Sequence, residues 1–293
     1  MTDTAKYADI ILPVCGWHEQ LDIIGGTAAP FVRLQEKAID PLFESKNDYE
    51  IAQLLASGMG FGDRIPWAAE DFLKGFLSNQ AAQKAGLSWE RLLEEKSLYT
   101  GEFIHGENGV FPTPTGKMEI YLESFSHSPL LEGKSDGREF DIDFERLPNF
   151  KPPHEAWTES VGGYERNPLA DKYPLIYTSI RNRFTTHSQH FEVDWFKEIS
   201  PEPTIRMSPK DAQARGIKTG DIVRVFNDRG YVILKAEIHA GIRPGMVVYP
   251  KGWQDDQFIE GHVANLISSY TIPAVYNQYY FDVLCEVEKI EGR

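Results

Sequence analysis

The chain has 293 residues, 41% apolar and 25% charged, the balance of a globular protein with one large or two ordinary domains. Its 44 acids against 30 bases give a net charge of −14, which argues against general binding to nucleic acid or an anionic membrane surface, since both need a basic face. No apolar run approaches the roughly 20 residues of a spanning helix, and no signal peptide is legible, because the polar start leads to Ile10-Ile11-Leu12, broken at Pro13.

Ala8-Asp9-Ile10-Ile11-Leu12-Pro13 predicts a buried strand ended by its proline, with no partner strand of its own near Met1. Asn47 to Gly60 predicts a helix. Asn47 and Glu50 are spaced as a capping box, Ile51, Leu54 and Leu55 form an apolar stripe, and Gly58 and Gly60 stop it. Two further helices are predicted over 68–77 (Phe72, Leu73 and Phe76 on one face) and 88–96 (Trp89, Leu92, Leu93), and all three stripes read as core. Thr113 to Tyr121 reads as a turn and a short strand. Residues 126–172 are rich in Pro, Gly and charge without periodicity, as in a linker or a segment wrapped over the surface.

From Tyr173 onward the pattern changes to short strands and turns. Ser208 caps a brief helix with Pro209 first and Gly216 as its stop. Asp221 to Asn227 and Tyr231 to Ile238 form a hairpin about the turn Asn227-Asp228-Arg229-Gly230, and Gly245 to Tyr249 is another strand. So many short strands around brief helices imply a small closed β-barrel. Cys15 and Cys285 are too far apart for a CxxC site or an iron–sulfur run; they read as buried thiols, with a disulfide left open. The histidines show no zinc-ligand spacing. The last four residues, Ile290 to Arg293, spell a common protease tag.

The most informative stretch is Tyr173 to Gln189. A short apolar run, Leu175-Ile176-Tyr177, opens into a loop with two arginines, a histidine and several hydroxyl and amide side chains, and no carboxylate occurs from Lys172 to Phe191. A cationic, donor-rich loop at a strand end, inside an acidic protein, suits an anionic, polyphosphate-bearing ligand. The plainer alternative is a solvated loop whose arginines pair with Glu192 or Asp194.

Three stretches resemble one family. Met1 to Pro13 is similar to a signature strand of the molybdopterin oxidoreductases of the dimethyl sulfoxide reductase family, and Thr113-Pro-Thr-Gly-Lys-Met-Glu-Ile-Tyr121 resembles another of its landmarks. Met207 to Gly230 resembles the core of the family's C-terminal dinucleotide-binding domain. The resemblance runs collinearly along the chain and points to the anaerobic dimethyl sulfoxide reductase type of catalytic chain. It implies an α/β class followed by mostly β: 1–125 as the end of the central α/β region, 126–172 as linker, and 173–290 as a double-psi β-barrel that binds molybdopterin guanine dinucleotide. In the family that cofactor is used as a pair around molybdenum (bis-MGD). The family's iron–sulfur cysteine cluster and its molybdenum ligand have no counterpart here, so the resemblance implies the C-terminal part of such a catalytic chain, inert by itself. The implied partners are the missing N-terminal part, a membrane anchor and an iron–sulfur electron-transfer subunit, in a parent that is membrane-associated or exported through a twin-arginine leader. The implied reaction is oxygen-atom transfer from an S-oxide or N-oxide. Two alternatives stay open: another chemistry within the family, such as hydroxyl transfer or hydration, or a cofactor-free barrel serving as an interaction module.

Carried onto this sequence, the resemblance implies a cofactor surface built from Thr178, Arg181, Asn182, Arg183, Thr186, His187, Ser188 and Gln189. The two guanidinium groups would clamp phosphate oxygens, the neutral side chains would read pterin edges, and His187 would face the dithiolene. Gly252 would let backbone approach the ligand, and Trp253 either stacks on a guanine or pterin plane or is a core tryptophan. Asn265 and Asn277 would read a purine-like edge through their amides.

Overall fold

The structure, a computed structural model, describes residues 1–26, 29–101, 109–111, 113–123, 134–135, 138–139, 146–161, 163–191, 193–272, 277–278 and 280–292. It divides into two compact units, one of Thr4–Met118 and one of Met1–Asp3 with Glu119–Arg293.

In the first unit, β1 (Asp22–Gly26), β2 (Ala29–Gln35) and β3 (Ser97–Tyr99) form an antiparallel sheet. Beyond the single helical turn Asp3–Lys6, the helices are α1 (Asp48–Gly58), α2 (Ala69–Leu77), α3 (Gln80–Lys84) and α4 (Trp89–Glu95). Each start has a local cause where a cap is present: Asn47 Oδ1 accepts the Glu50 amide at 2.8 Å, Asn79 Oδ1 that of Ala82 at 2.9 Å, and Ser88 Oγ that of Arg91 at 3.2 Å. The core joins Leu77, Trp89, Leu92 and Leu98 to Ile23, Val32, Leu34 and Leu73.

Three expectations fail in this unit. Residues 8–13 form no strand: Ile10 is 79% exposed, and among the described residues no strand lies beside it to pair with its amides. Its hydrophobicity is that of a segment flanked on both sides, and here only Val14 makes a bridge, to Lys46. The α1 stripe is not core either, because Leu54 and Leu55 are exposed and, with Ile11, Leu12, Pro13 and Ile51, line an open groove of about 380 Å³. On α2, Phe72 and Phe76 face solvent while Leu73 and Leu77 pack inward, and on α4 Leu93 is likewise exposed beside buried Trp89 and Leu92.

Gly116 closes the predicted turn at φ 68, but no strand follows it directly among the described residues, and Met118 and Ile120 are exposed. Most of 124–145 lies outside the described residues. Next come β4 (Trp157–Ser160), its hairpin partner β5 (Gly163–Arg166) and α5 (Leu169–Lys172).

The barrel comprises β6 (Leu175–Ile180), β7 (Thr204–Met207), β8 (Ile222–Phe226), β9 (Tyr231–Ile238), β10 (Met246–Pro250) and β14 (Val283–Lys289). Two short helices interrupt it, α6 (Asp194–Ile199) and α7 (Pro209–Ala214), and three short strands border it, β11 (Glu260–Gly261), β12 (Thr271–Ile272) and β13 (Asn277–Gln278). The ring runs β8–β14–β6–β10–β7–β9 and closes where β9 pairs with β8; β6·β10 and β7·β9 are parallel. Closure leaves no free edge among these six strands. Alternate residues fill the interior: Leu175 and Tyr177, Ile205 and Met207, Val223 and Val225, Val232, Leu234 and Ala236, Val247 and Tyr249, Val283, Cys285 and Val287. Full burial of each such aliphatic contributes about 1.5–3 kcal/mol. Cys15 and Cys285 are both free thiols.

Candidate functional site

Because β6 and β10 run parallel in register, with Thr178 beside Val248 and Ile180 beside Pro250, the loops after both strands leave the barrel at one rim. Lys251 N–H extends the ladder to the Ile180 carbonyl at 3.2 Å. The next residue, Gly252, has φ +104, and a Cβ there would lie 1.7 Å from the His187 carbonyl oxygen. Glycine is therefore required to bring the two loops together. What approaches Gly252 is the His187 backbone, not a free ligand face.

The loop from Arg181 to Phe191 is shaped by its own polar groups. Asn182 Oδ1 accepts the Phe184 amide at 3.1 Å and Asn182 Nδ2 donates to Ser200 Oγ at 3.4 Å; the Gln189 amide donates to the Thr186 carbonyl at 3.0 Å. His187 and His190 take left-handed φ values of 52 and 74, uncommon for side-chain-bearing residues. Buried Phe191 anchors the loop, its ring 4.4 Å from that of Trp253.

Of the residues expected here, Arg181, Arg183, Thr186, His187, Ser188 and Gln189 are exposed, and Thr178 and Asn182 half-buried. Among the described residues neither Arg181 nor Arg183 has an ion pair or hydrogen bond, and Asp194 takes Lys197 instead at 3.5 Å. Glu192 lies outside the described residues.

Trp253 is the core tryptophan of the two readings. It is 4% exposed and packed in the barrel cluster, so it offers no open stacking plane. Its indole Nε1 is buried with no partner, as is Thr185 Oγ1 in the neighbouring loop. Two orphaned polar atoms at this rim are what a ligand rich in acceptors would satisfy. Thr185 was not among the expected site residues; its only signal in the sequence is its place among the loop's hydroxyls.

Asn265 is exposed on the 3₁₀ turn Val263–Leu266. That turn reaches the rim through His262 Nε2 and the Trp253 carbonyl, 3.2 Å apart, and the Tyr177 hydroxyl donates to the Val263 carbonyl at 3.1 Å. Gly230 sits under Asn265, its hypothetical Cβ only 2.9 Å from that of Asn265. Asn277 faces Ile272 across the β12–β13 hairpin; its side chain lies outside the described residues. The structure thus brings together the 178–189 loop, Gly252 and Trp253, with the Asn265 turn linked to them. A cluster of Asp3, Asp255 and His262 also has ligand atoms within 4.8 Å of one another. It is a poor metal site, because both ring nitrogens of His262 are engaged within the chain, Nδ1 with the Ala264 amide at 3.0 Å and Nε2 with the Trp253 carbonyl at 3.2 Å.

Residues 175–280 match the molydopterin dinucleotide binding domain family, and residues 1–57 match molybdopterin oxidoreductases. The chain is a relative of the dimethyl sulfoxide reductase family of molybdopterin oxidoreductases. It is 34% identical over 98% of its length to the putative catalytic chain of a dimethyl sulfoxide reductase from Halobacterium salinarum, of which it covers 32%. It is 28% identical over 87% of its length to dimethyl sulfoxide reductase DmsA of Escherichia coli, covering 32% of it. It is 30% identical over 87% to the dimethyl sulfoxide/trimethylamine N-oxide reductase of Cereibacter sphaeroides, covering 31%. The chain therefore spans about a third of the length of these curated relatives. Among solved structures, acetylene hydratase from Pelobacter acetylenicus shares the fold, with a TM-score of 0.72 at 21% identity over 99% of this chain and 39% of the hydratase.

Proposed function

We propose that this chain supplies the molybdopterin guanine dinucleotide-binding barrel of an oxidoreductase that reduces S-oxides or N-oxides. The observation that carries the reading is the pair of exposed arginines, 181 and 183, unpaired among the described residues, in the carboxylate-free loop at the rim of a barrel that matches the molydopterin dinucleotide binding domain. Planar guanidinium forks match phosphate oxygens bidentately and act over a distance that helps offset the chain's charge of −14. Thr178, Asn182, Thr186, Ser188 and Gln189 supply neutral donors and acceptors, and His187 presents its imidazole beside them. Asn265 and Asn277 read a base or pterin edge. Gly252 holds the His187 loop in place, and the buried Trp253 and Thr185 donors wait for acceptors.

When bound, the cofactor pair supplies the molybdenum and the two-electron chemistry; the residues of this chain bind and orient it. The relatives named as dimethyl sulfoxide or trimethylamine N-oxide reductases favour oxygen-atom transfer over hydration or a cofactor-free module. The two parallel pairs in the closed ring support a double-psi topology. The rest of the catalytic chain, a membrane anchor and an iron–sulfur subunit are the proposed partners, and no helix among the described residues is long and apolar enough to cross a membrane. The open groove beside Leu54 and Leu55 is consistent with cover from the remainder of the catalytic chain.

The test is a titration of the isolated chain with guanosine diphosphate, followed by amide shifts and calorimetry at two salt concentrations. Shifts should centre on 178–189, and Arg181→Gln with Arg183→Gln should weaken binding on the order of tenfold or more and flatten its salt dependence. Shifts confined elsewhere, or an unchanged affinity in the double variant, would remove the reading. Reduction of dimethyl sulfoxide by the isolated chain would overturn its proposed inertness.

A further inference from the structure

Glu155 is 1% exposed and carries a carboxylate into the junction between β14 and the β8–β9 turn, where His154 Nε2 also lies 3.9 Å from its Oε1. Its Oε2 accepts the Leu284 amide at 2.6 Å, and its Oε1 lies 2.7 Å from Arg229 Nη2. Arg229 in turn donates through Nε to the Leu266 carbonyl at 2.8 Å. The same carbonyl receives Asn227 Nδ2 at 2.9 Å, and that nitrogen also reaches the Leu284 carbonyl at 3.0 Å. Two donors therefore converge on the carbonyl that closes the Val263–Leu266 turn, one residue after Asn265.

With Glu155 buried and the Arg229 side chain 34% exposed, the pair is a poor source of stability, since desolvating the carboxylate offsets much of the attraction. Its use lies in placement. The fork of Arg229 is held at one end by Glu155 and fixes Leu266 with the other, while Gly230 of the same turn packs under Asn265. The Asn265 side chain makes no hydrogen bond among the described residues, so its amide is left for a ligand.

We propose that the Glu155–Arg229 pair is a positioning device that aims the Asn265 amide at a guanine or pterin edge. The proposal rests on the cofactor reading above and extends it to residues that touch no ligand. Glu155 comes from the segment preceding β4, so a part of the chain outside the barrel strands would set the geometry of the barrel's recognition turn.

The experiment uses the 293-residue chain and guanosine diphosphate as probe, with amide hydrogen exchange, melting temperature and affinity measured on each variant. Glu155→Gln keeps an acceptor for Leu284 but frees Arg229. It should raise exchange at the Asn265 and Leu266 amides and weaken binding on the order of tenfold, about one well-aligned hydrogen bond. Arg229→Met should do the same and melt lower, because it removes the guanidinium that faces the buried carboxylate. The double variant Glu155→Gln/Arg229→Met should regain melting temperature while its affinity stays weak. If affinity returns together with stability, the pair is merely structural and the proposal fails. It fails equally if exchange at Asn265 is unmoved in Glu155→Gln. Asn265→Ala separates the two readings: full binding by that variant would remove Asn265 from the site, whatever Glu155 does.

Discussion

Gly252→Ala offers the sharpest test of how the rim is built. An added Cβ would sit 1.7 Å from the His187 oxygen, 2.4 Å from its carbon and 3.1 Å from Phe191 Cε2, against the 3.4 Å at which ordinary contact begins. The obstacle is mostly backbone, so no flexible side chain can swing away. Overpacking of this kind costs about 1–3 kcal/mol, and a side chain held at φ +104 adds roughly 1–3 kcal/mol of strain. We expect about 3 kcal/mol of destabilisation after partial relaxation, with the His187 loop pushed outward. Gly245→Ala is the control: it shares a positive φ of +85, but nothing lies within 4 Å of its Cβ, so only the dihedral term remains. Urea unfolding of both variants, with guanosine diphosphate binding as a second readout, measures the difference. Equal losses within about 0.5 kcal/mol, or normal ligand binding by Gly252→Ala, would refute the packing of the two loops.

Tyr177→Phe removes the hydroxyl that donates to the Val263 carbonyl at 3.1 Å and should cost about 1–3 kcal/mol, read by denaturant unfolding, because the carbonyl is left buried and unsatisfied. Burial pushes the Cys285 thiol well up, so iodoacetamide at mildly alkaline pH should modify it only as fast as the barrel unfolds; rapid native labelling would contradict its place in the core. The Lys172 ammonium and then the Tyr173 hydroxyl hold the Asp228 carboxyl below the usual carboxylate range. A depressed folded value means that its stabilisation is complete above about pH 4 and is lost as pH falls through the folded value, so Asp228→Asn should flatten the acid limb of the stability curve. Matching acid limbs in parent and variant would show that the contact carries no linkage. Burial likewise raises the Tyr249 phenol to about 12, so absorbance titration should leave it un-ionised until strongly alkaline pH.

The barrel was legible because its determinants are local. Val223 and Val225, or Val232, Leu234 and Ala236, alternate as a half-buried strand must, and Ser208, Pro209 and Gly216 mark both ends of one helix. The first unit was less legible because its apolar residues are not all satisfied within it. Ile10, Leu54 and Phe76 carry the pattern of core and stand in solvent, which no periodicity argument can foresee. The sheet of β1, β2 and β3 escaped notice for another reason. It is built around Gly25 and Gly26 and short runs such as Ser97 to Tyr99, where strand propensity is weak and pairing decides. At the site, residue types and spacing indicated the cationic loop. They could not distinguish a stacking tryptophan from a core one, or show that Gly252 answers to the His187 carbonyl, because both depend on contacts across long sequence separations.

The treatment of arginine in the barrel unit separates architecture from recognition. Arg206 meets Glu237 at 2.9 Å, Arg215 meets Glu286 at 2.6 Å, Arg224 meets Glu288 at 3.2 Å and Arg229 meets Glu155 at 2.7 Å. Each joins neighbouring elements, and the exposed ones contribute little to stability singly. Arg181 and Arg183 occupy a protein with a large surplus of acid, yet the sequence around them from 172 to 191 holds no carboxylate to claim them. Arg243 is also unpaired among the described residues, but it lies on the connection into β10, at the opposite end of that strand from Gly252. A cationic pair without partners among the described residues, at a rim where two buried donors also lack them, supports the proposal that the acceptors come from outside the chain; a diphosphate joined to a heteroaromatic edge would supply both kinds.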